Sequence, residues 1–185
     1  MTLPFFTIGH SNRSLEEFVT LLRKADVALV ADIRKMPRSR KNPQFNKETL
    51  HEALASFQIF YEHMAVLGGL RPTAGGSSEH ANDLWTNKSF RNYADYALTE
   101  PFKAGIGHLL DEGRKQRCTV MCSEAVWWRC HRRIVADYLI ANGETVFHIM
   151  GEGHLQRAQL TTGAVIQPDA SIVYPARKNS SVPEQ

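Results

Sequence analysis

What the chain lacks sets its first limits. No apolar run approaches the ~20 residues that span a bilayer, so no membrane segment is expected. The first residues, MTLPFFTIGH, show no charged leader, long apolar stretch or small-residue cleavage site, which predicts no signal peptide. Cysteine is scarce. Three thiols form no disulfide framework, and a reducing, cytoplasmic setting is the expectation. Neither a Cys-x2-Cys nor a His-x3-His pair occurs, so spacing alone assigns no metal. A strong basic excess is also missing: the net charge is +3 and the pI near 8.8, short of a dedicated nucleic-acid binder. What remains is 185 residues, 43% hydrophobic and 22% charged, enough to bury one core without an internal repeat or a second domain. A single α/β domain over 1–177 and a loose tail over 178–185 are expected.

The chemistry concentrates between Met121 and Arg133, MCSEAVWWRCHRR. This stretch follows the apolar run Cys118–Met121 and precedes Ile134–Ala141, whose apolar residues fall at helical spacing. It is therefore a strand-to-helix turn, the kind of turn that presents side chains and free N–H groups at the ligand-binding edge of an open α/β sheet.

The rest of the chain alternates strand and helix. Phe5–His10 reads as a first strand, and Ser14-Leu-Glu-Glu17 as a capping box opening a helix with Leu15, Phe18, Val19 and Leu22 on its buried face. Val27–Ala31, ending at Asp32, is continuously apolar, as in a strand covered on both faces. A polar loop from Arg34 to Asn46 carries Arg34, Lys35, Arg38, Arg40 and Lys41, with Pro37 and Pro43 opposing helix. Then come a helix through about Phe57, a strand at Ile59–His63 and a long Gly/Ser-rich loop over Leu67–His80, expected to be mobile. Two helices follow, near Phe90–Leu98 and Pro101–Arg114. After the fourth strand and its helix, Asn142-Gly143 marks a C-terminal cap, and Glu144–Met150 a fifth strand. The expected architecture is a three-layer, mostly parallel, five-stranded Rossmann-like sheet of order 3-2-1-4-5, with strands one and four adjacent.

Parallel strands end at one edge, and the polar residues sort to it: His10 and Ser11 after the first strand, Asp32 and Arg34 after the second, Glu62 and His63 after the third, Cys122 and Glu124 after the fourth. The pieces TIGHSN, DIRKMPRSRKNPQFN, LGGLRP, Tyr93-Ala-Asp-Tyr96 and CSEAVWWRCHR, in this order, make the chain resemble the bacterial domain-of-unknown-function 488 family across most of residues 5–151. The resemblance implies a compact α/β domain and names no activity. Its recurring positions fall on Gly9, His10, Ser11, Asp32, Arg34, Pro37, Ser39, Cys122, Glu124, Cys130, His131 and Arg132. Where such members are less aromatic between Glu124 and Cys130, this chain has Trp127-Trp128.

Each constellation carries a bland and a sharp reading. Cys130-His131-Arg132 is either a packed helix start or an anion site, with N–H groups and an Arg132 fork on a phosphate. A Cys-x5-Arg phosphatase loop from Cys122 is excluded, because Trp128 occupies the arginine position and Arg129 comes one residue late. Cys122, Cys130 and His131, with His10 or His63, are the soft metal donors in reach. Asp32 and Arg34 are either a structural ion pair or the orienting group and cation of a site. His10 is suited to proton transfer near neutral pH. The cationic loop is either a solvated run or a grip on a phosphate, with the tryptophans either packed or offering a stacking surface. The expectation is an enzyme, a hydrolase or transferase acting on a phosphorylated, nucleotide-like or nucleic-acid substrate. His10, Asp32, Cys122 and Glu124 are its candidates for proton transfer or nucleophilic work. Ser11, Arg34, Arg38, Ser39, Cys130, His131 and Arg132 are its candidates for binding the anion. A non-catalytic nucleic-acid-binding module and a metal or redox sensor using Cys122 and Cys130 are the alternatives. The residues name no cofactor.

Overall fold

The computed structural model describes residues 3–73 and 81–177. Part of the expected mobile loop and the whole of the expected tail lie outside them.

Five parallel strands form the centre: β1 (Phe5–Gly9), β2 (Leu29–Asp32), β3 (Phe60–His63), β4 (Cys118–Cys122) and β5 (Val146–Gly151). The sequence pattern anticipated each of them within a residue or two. β1, β2 and β4 are buried along their whole length, which is why they read as unbroken apolar runs rather than alternations. A sixth strand, β6 (His154–Arg157), pairs antiparallel with β5, and a two-stranded hairpin, β7 (Val165–Ile166) with β8 (Ile172–Val173), forms a separate small sheet. These three have no apolar period to announce them: every residue of β6 and β7 is exposed.

The α/β, mostly parallel Rossmann-like architecture is the one expected, but the strand order is β3-β2-β4-β1-β5-β6 rather than 3-2-1-4-5. Strands β1 and β4 are neighbours, as anticipated, with their places exchanged. Apolar runs specify that a strand is central and leave open which of two central strands lies beside β2. Here Leu29–Asp32 pairs with Cys118–Met121.

Helices cover both faces. The capping box of Ser14 and Glu17 opens α1 (Leu15–Lys24), which packs with α2 (Lys47–Ser56) on one face against Phe6, Ile8, Val30, Met121 and Ile149. On the other face α3 (Lys88–Ala97), α4 (Glu100–Lys115) and α5 (Arg132–Ala141) cover Phe5, Leu29, Ala31, Cys118, Val120 and Val146. The period-2 alternation of side chains along each strand divides them between the two cores. Among the described residues, no helix is long and apolar enough to cross a membrane.

Candidate functional site

The carboxyl ends of β1, β2 and β4 form the base of a cavity of about 520 Å³. β1 ends close against the loop after β4. A Cβ on Gly9 would sit 1.7 Å from the Glu124 carbonyl oxygen, so only glycine allows the approach. Two hydrogen bonds continue the β1–β4 pairing into the loops, from the His10 and Ser11 N–H groups to the Cys122 and Ser123 carbonyls. Ser11 takes a positive φ of 52° to do this.

Of the residues expected at the site, His10, Ser11, Arg34, Arg38, Ser39, Cys122, Glu124, Cys130 and His131 line this cavity. Asp32 and Arg132 do not. Asp32 is fully buried beneath the wall and holds Arg34 in place, accepting from its backbone N–H at 3.0 Å and from Nε at 2.9 Å, with the Tyr61 hydroxyl donating at 2.6 Å. Arg34 also donates to the Phe45 carbonyl at 2.8 Å and, through Nη1, to His10 Nε2 at 3.2 Å. Most of its fork is thus spent inside the protein. Arg132 is buried as well. Its guanidinium reaches back to the carbonyls of Glu124 and Ala125, clamping the loop after β4 rather than facing the cavity.

His10 is held neutral. Its Nδ1–H donates to the Ser11 carbonyl at 2.8 Å, leaving Nε2 as an acceptor for Arg34. Burial lowers its pKa to about 4, with the Arg34 charge adding to the effect. The ring stacks on Phe45 at 4.2 Å.

The cavity floor is a cluster of two thiols and an imidazole. His131 Nδ1 lies 3.7 Å from Cys130 Sγ and 4.0 Å from Cys122 Sγ, and the three atoms all fall within 4.8 Å of one another. The other ring nitrogen, Nε2, is 3.1 Å from the Ile33 carbonyl oxygen, to which it donates, so Nδ1 faces the sulfurs with its lone pair. The Arg132 N–H points at Cys130 Sγ from the first turn of α5. A hydrogen bond from Cys130 holds the Cys122 thiol well below its ordinary range against the opposing effect of burial, and the nearby Arg132 charge acts in the same direction. Burial, reinforced by the negative Cys122, pushes Cys130 up. All three cysteines are free, and Cys118 lies at the far end of β4, its thiol pushed up to about 12 by burial.

At the rim, the side chains of Arg38 and Arg129 are exposed and have no hydrogen-bond or ion-pair partner among the described residues, and Lys35 donates to the Leu70 carbonyl. Met36, Leu70 and Phe90 supply an apolar wall. Trp127 and Trp128 are not on that wall. Trp127 stacks on His148 at 4.4 Å and donates to Gln156, while Trp128 packs edge-on against it.

This arrangement is the setting for the comparison with known proteins. The chain matches the family described as Domain of unknown function DUF488 over residues 14–139, more than half its length. The chain belongs to that family. No curated protein and no solved structure matches it. In this DUF488 chain the matched span holds the thiol–imidazole cluster and the cationic loop, whereas His10 and Ser11 precede it. Sequence reasoning passed over Arg129, Gly69 and Phe90 as site residues. Arg129 stood in view as an arginine one position late for a phosphatase loop. Gly69 and Phe90 carry no chemical signal of their own and reach the cavity only through the fold.

Proposed function

We propose that the protein is an enzyme, a hydrolase or transferase, acting on a phosphorylated, nucleotide-like small molecule held in this cavity. One observation carries the reading: the cluster of Cys122, Cys130 and His131 and the rim cations Arg38 and Arg129 face a single concave space. Its volume is within the roughly 300–1,000 Å³ usual for small-molecule sites. The cations suit a phosphate at the rim. Met36, Leu70 and Phe90 suit the flat apolar face of a base or similar ring. The thiol–imidazole floor supplies the reacting centre, inside the same cavity as those cations. Glu124, exposed at the mouth, is available for proton transfer. Asp32 and Arg34 act in this reading as positioning residues that keep His10 and the β2 end rigid. A concave cavity with the tryptophans packed elsewhere favours a small molecule over a nucleic-acid strand.

The test is binding. A nucleoside monophosphate at millimolar concentration should raise the melting temperature by mass action. The double substitution Arg38→Ala, Arg129→Ala should remove most of that rise without changing the melting temperature of the free protein by more than roughly a degree or two. A wild-type melting temperature indifferent to nucleoside phosphates, sugar phosphates and inorganic phosphate alike would refute the substrate class.

A further inference from the structure

The cluster on the cavity floor has more than one chemical use, and its geometry selects one. A tetrahedral zinc ion with bonds of ~2.3 Å to sulfur and ~2.05 Å to nitrogen sets S···N at about 3.6 Å and S···S at about 3.8 Å. His131 Nδ1 already stands 3.7 Å from Cys130 Sγ and 4.0 Å from Cys122 Sγ, and no pair in the cluster exceeds 4.8 Å. Small side-chain rotations close that difference. The imidazole presents the correct atom, because Nε2–H is held by the Ile33 carbonyl and Nδ1 is left bare. A metal-ligating histidine is oriented by this kind of outer hydrogen bond. The ring also has room: a Cβ on Gly69 would lie 2.9 Å from Nδ1, and glycine keeps that space open.

The three donors sit on rigid supports. Cys122 ends the central strand β4, and Cys130 and His131 lead directly into α5. Two thiolates and one neutral imidazole balance the charge of a divalent ion, and a tetrahedral set of two sulfurs and one nitrogen is a zinc set. No fourth protein donor completes it among the described residues. His63 donates through Nε2 to the Arg34 carbonyl, and His10 accepts from Arg34. All three ligands line the cavity, so the fourth position opens into it. Structural zinc sites are closed by four protein ligands, whereas catalytic sites keep one position for water or substrate.

We propose that Cys122, Cys130 and His131 bind one zinc ion whose fourth coordination position faces the cavity. The site stands on ligand geometry alone. Its use in catalysis rests on the reading of the cavity as the place where substrate binds, and there the ion would polarise a phosphoryl or carbonyl oxygen or deliver a bound water.

The full-length protein, purified without chelator, should contain about one zinc per chain by atomic emission. Metal-stripped protein titrated with cobalt(II) should develop a thiolate-to-cobalt charge-transfer band and the intense visible bands of a tetrahedral ion. Cys122→Ser, Cys130→Ser and His131→Gln should each weaken cobalt binding by at least about a hundredfold. Cys118→Ala, which removes a thiol from the far end of β4, should leave the spectrum unchanged. Circular dichroism checks that each variant is folded. A folded wild-type protein with no bound zinc and no cobalt–thiolate band would overturn the site. So would a cobalt affinity unchanged from wild type in both Cys122→Ser and Cys130→Ser. The two readings fail separately. Nucleoside phosphate binding without a cobalt band removes the metal and leaves the substrate. A tetrahedral cobalt spectrum in protein that ignores nucleoside phosphates, sugar phosphates and inorganic phosphate alike keeps the metal and removes the substrate.

Discussion

The Nε2 atom of His131 lies 3.1 Å from the carbonyl oxygen of Ile33, a contact that joins the start of α5 to the residue just beyond β2. That single bond decides what the site can do. It fixes the imidazole tautomer and turns the remaining nitrogen toward two sulfurs. The first prediction is spectroscopic. In long-range nitrogen–proton correlation spectra of the metal-free protein, recorded where the ring is neutral, the proton of His131 should sit on Nε2 and leave Nδ1 bare. The opposite tautomer would mean that the Ile33 contact does not hold in solution.

The second concerns the buried pair behind the wall. Asp32→Asn leaves Arg34 with an uncompensated buried charge and should cost on the order of 3–5 kcal/mol in urea unfolding. Tyr61→Phe removes one hydrogen bond to Asp32 from a half-buried position and should cost about 1 kcal/mol. Arg34→Lys should not restore the wild-type value, because an ammonium cannot reach Asp32, Phe45 and His10 together. If Asp32→Asn were as mild as Tyr61→Phe, the pair would not be the support described.

Acid stability gives the third. His148 is buried against Trp127, its Nδ1 is 2.7 Å from Thr7 Oγ1, and burial with the nearby Arg132 charge lowers its pKa to about 4. A folded pKa below the unfolded value of about 6.5 means that the unfolded chain binds the proton first. The contribution of His148 is therefore complete above about pH 6.5 and lost as pH falls toward 4, by at most about 3 kcal/mol. Urea midpoints at pH 7.0, 5.5 and 4.5 should show the decline. His148→Gln should shrink it, whatever its own cost at pH 7.0.

The fourth tests the close approach that shapes the cavity. Gly9→Ala drives a methyl into the Glu124 carbonyl, and backbone on both sides leaves nothing flexible to yield. The variant should lose several kcal/mol or fold with the loop after β4 displaced. Where it folds, the melting-temperature response to nucleoside phosphate should be lost as well. A Gly9→Ala variant of wild-type stability would contradict the packing of β1 against that loop.

Much of this molecule was legible in its residues. Unbroken apolar runs marked the central strands, because a strand covered on both faces has no polar side to alternate with. Ser14 and Glu17 announced α1, because a capping box is satisfied within one turn of chain. Strands that all run one way end at one edge, which is how His10, Arg34, Cys122 and Cys130 were expected together. Other features depended on contacts between distant parts of the chain. The order of β4 and β1 is settled by which apolar surfaces meet, and either order buries the same runs. Arg132 looked like an anion clamp, yet it serves the carbonyls of Glu124 and Ala125, because a loop folded over a helix start needs donors. Arg129, one residue late for a phosphate loop, reaches the rim instead. The thiol–imidazole cluster has the same basis. Cys122 and His131 are separated by a turn whose path no spacing rule predicts, and the Ile33 carbonyl that orients the ring comes from another strand's end. Local sequence thus set the elements and the edge at which they finish. The tertiary structure alone decided which of the polar groups at that edge face one another, because a side chain's partner depends on the packing of every element between them.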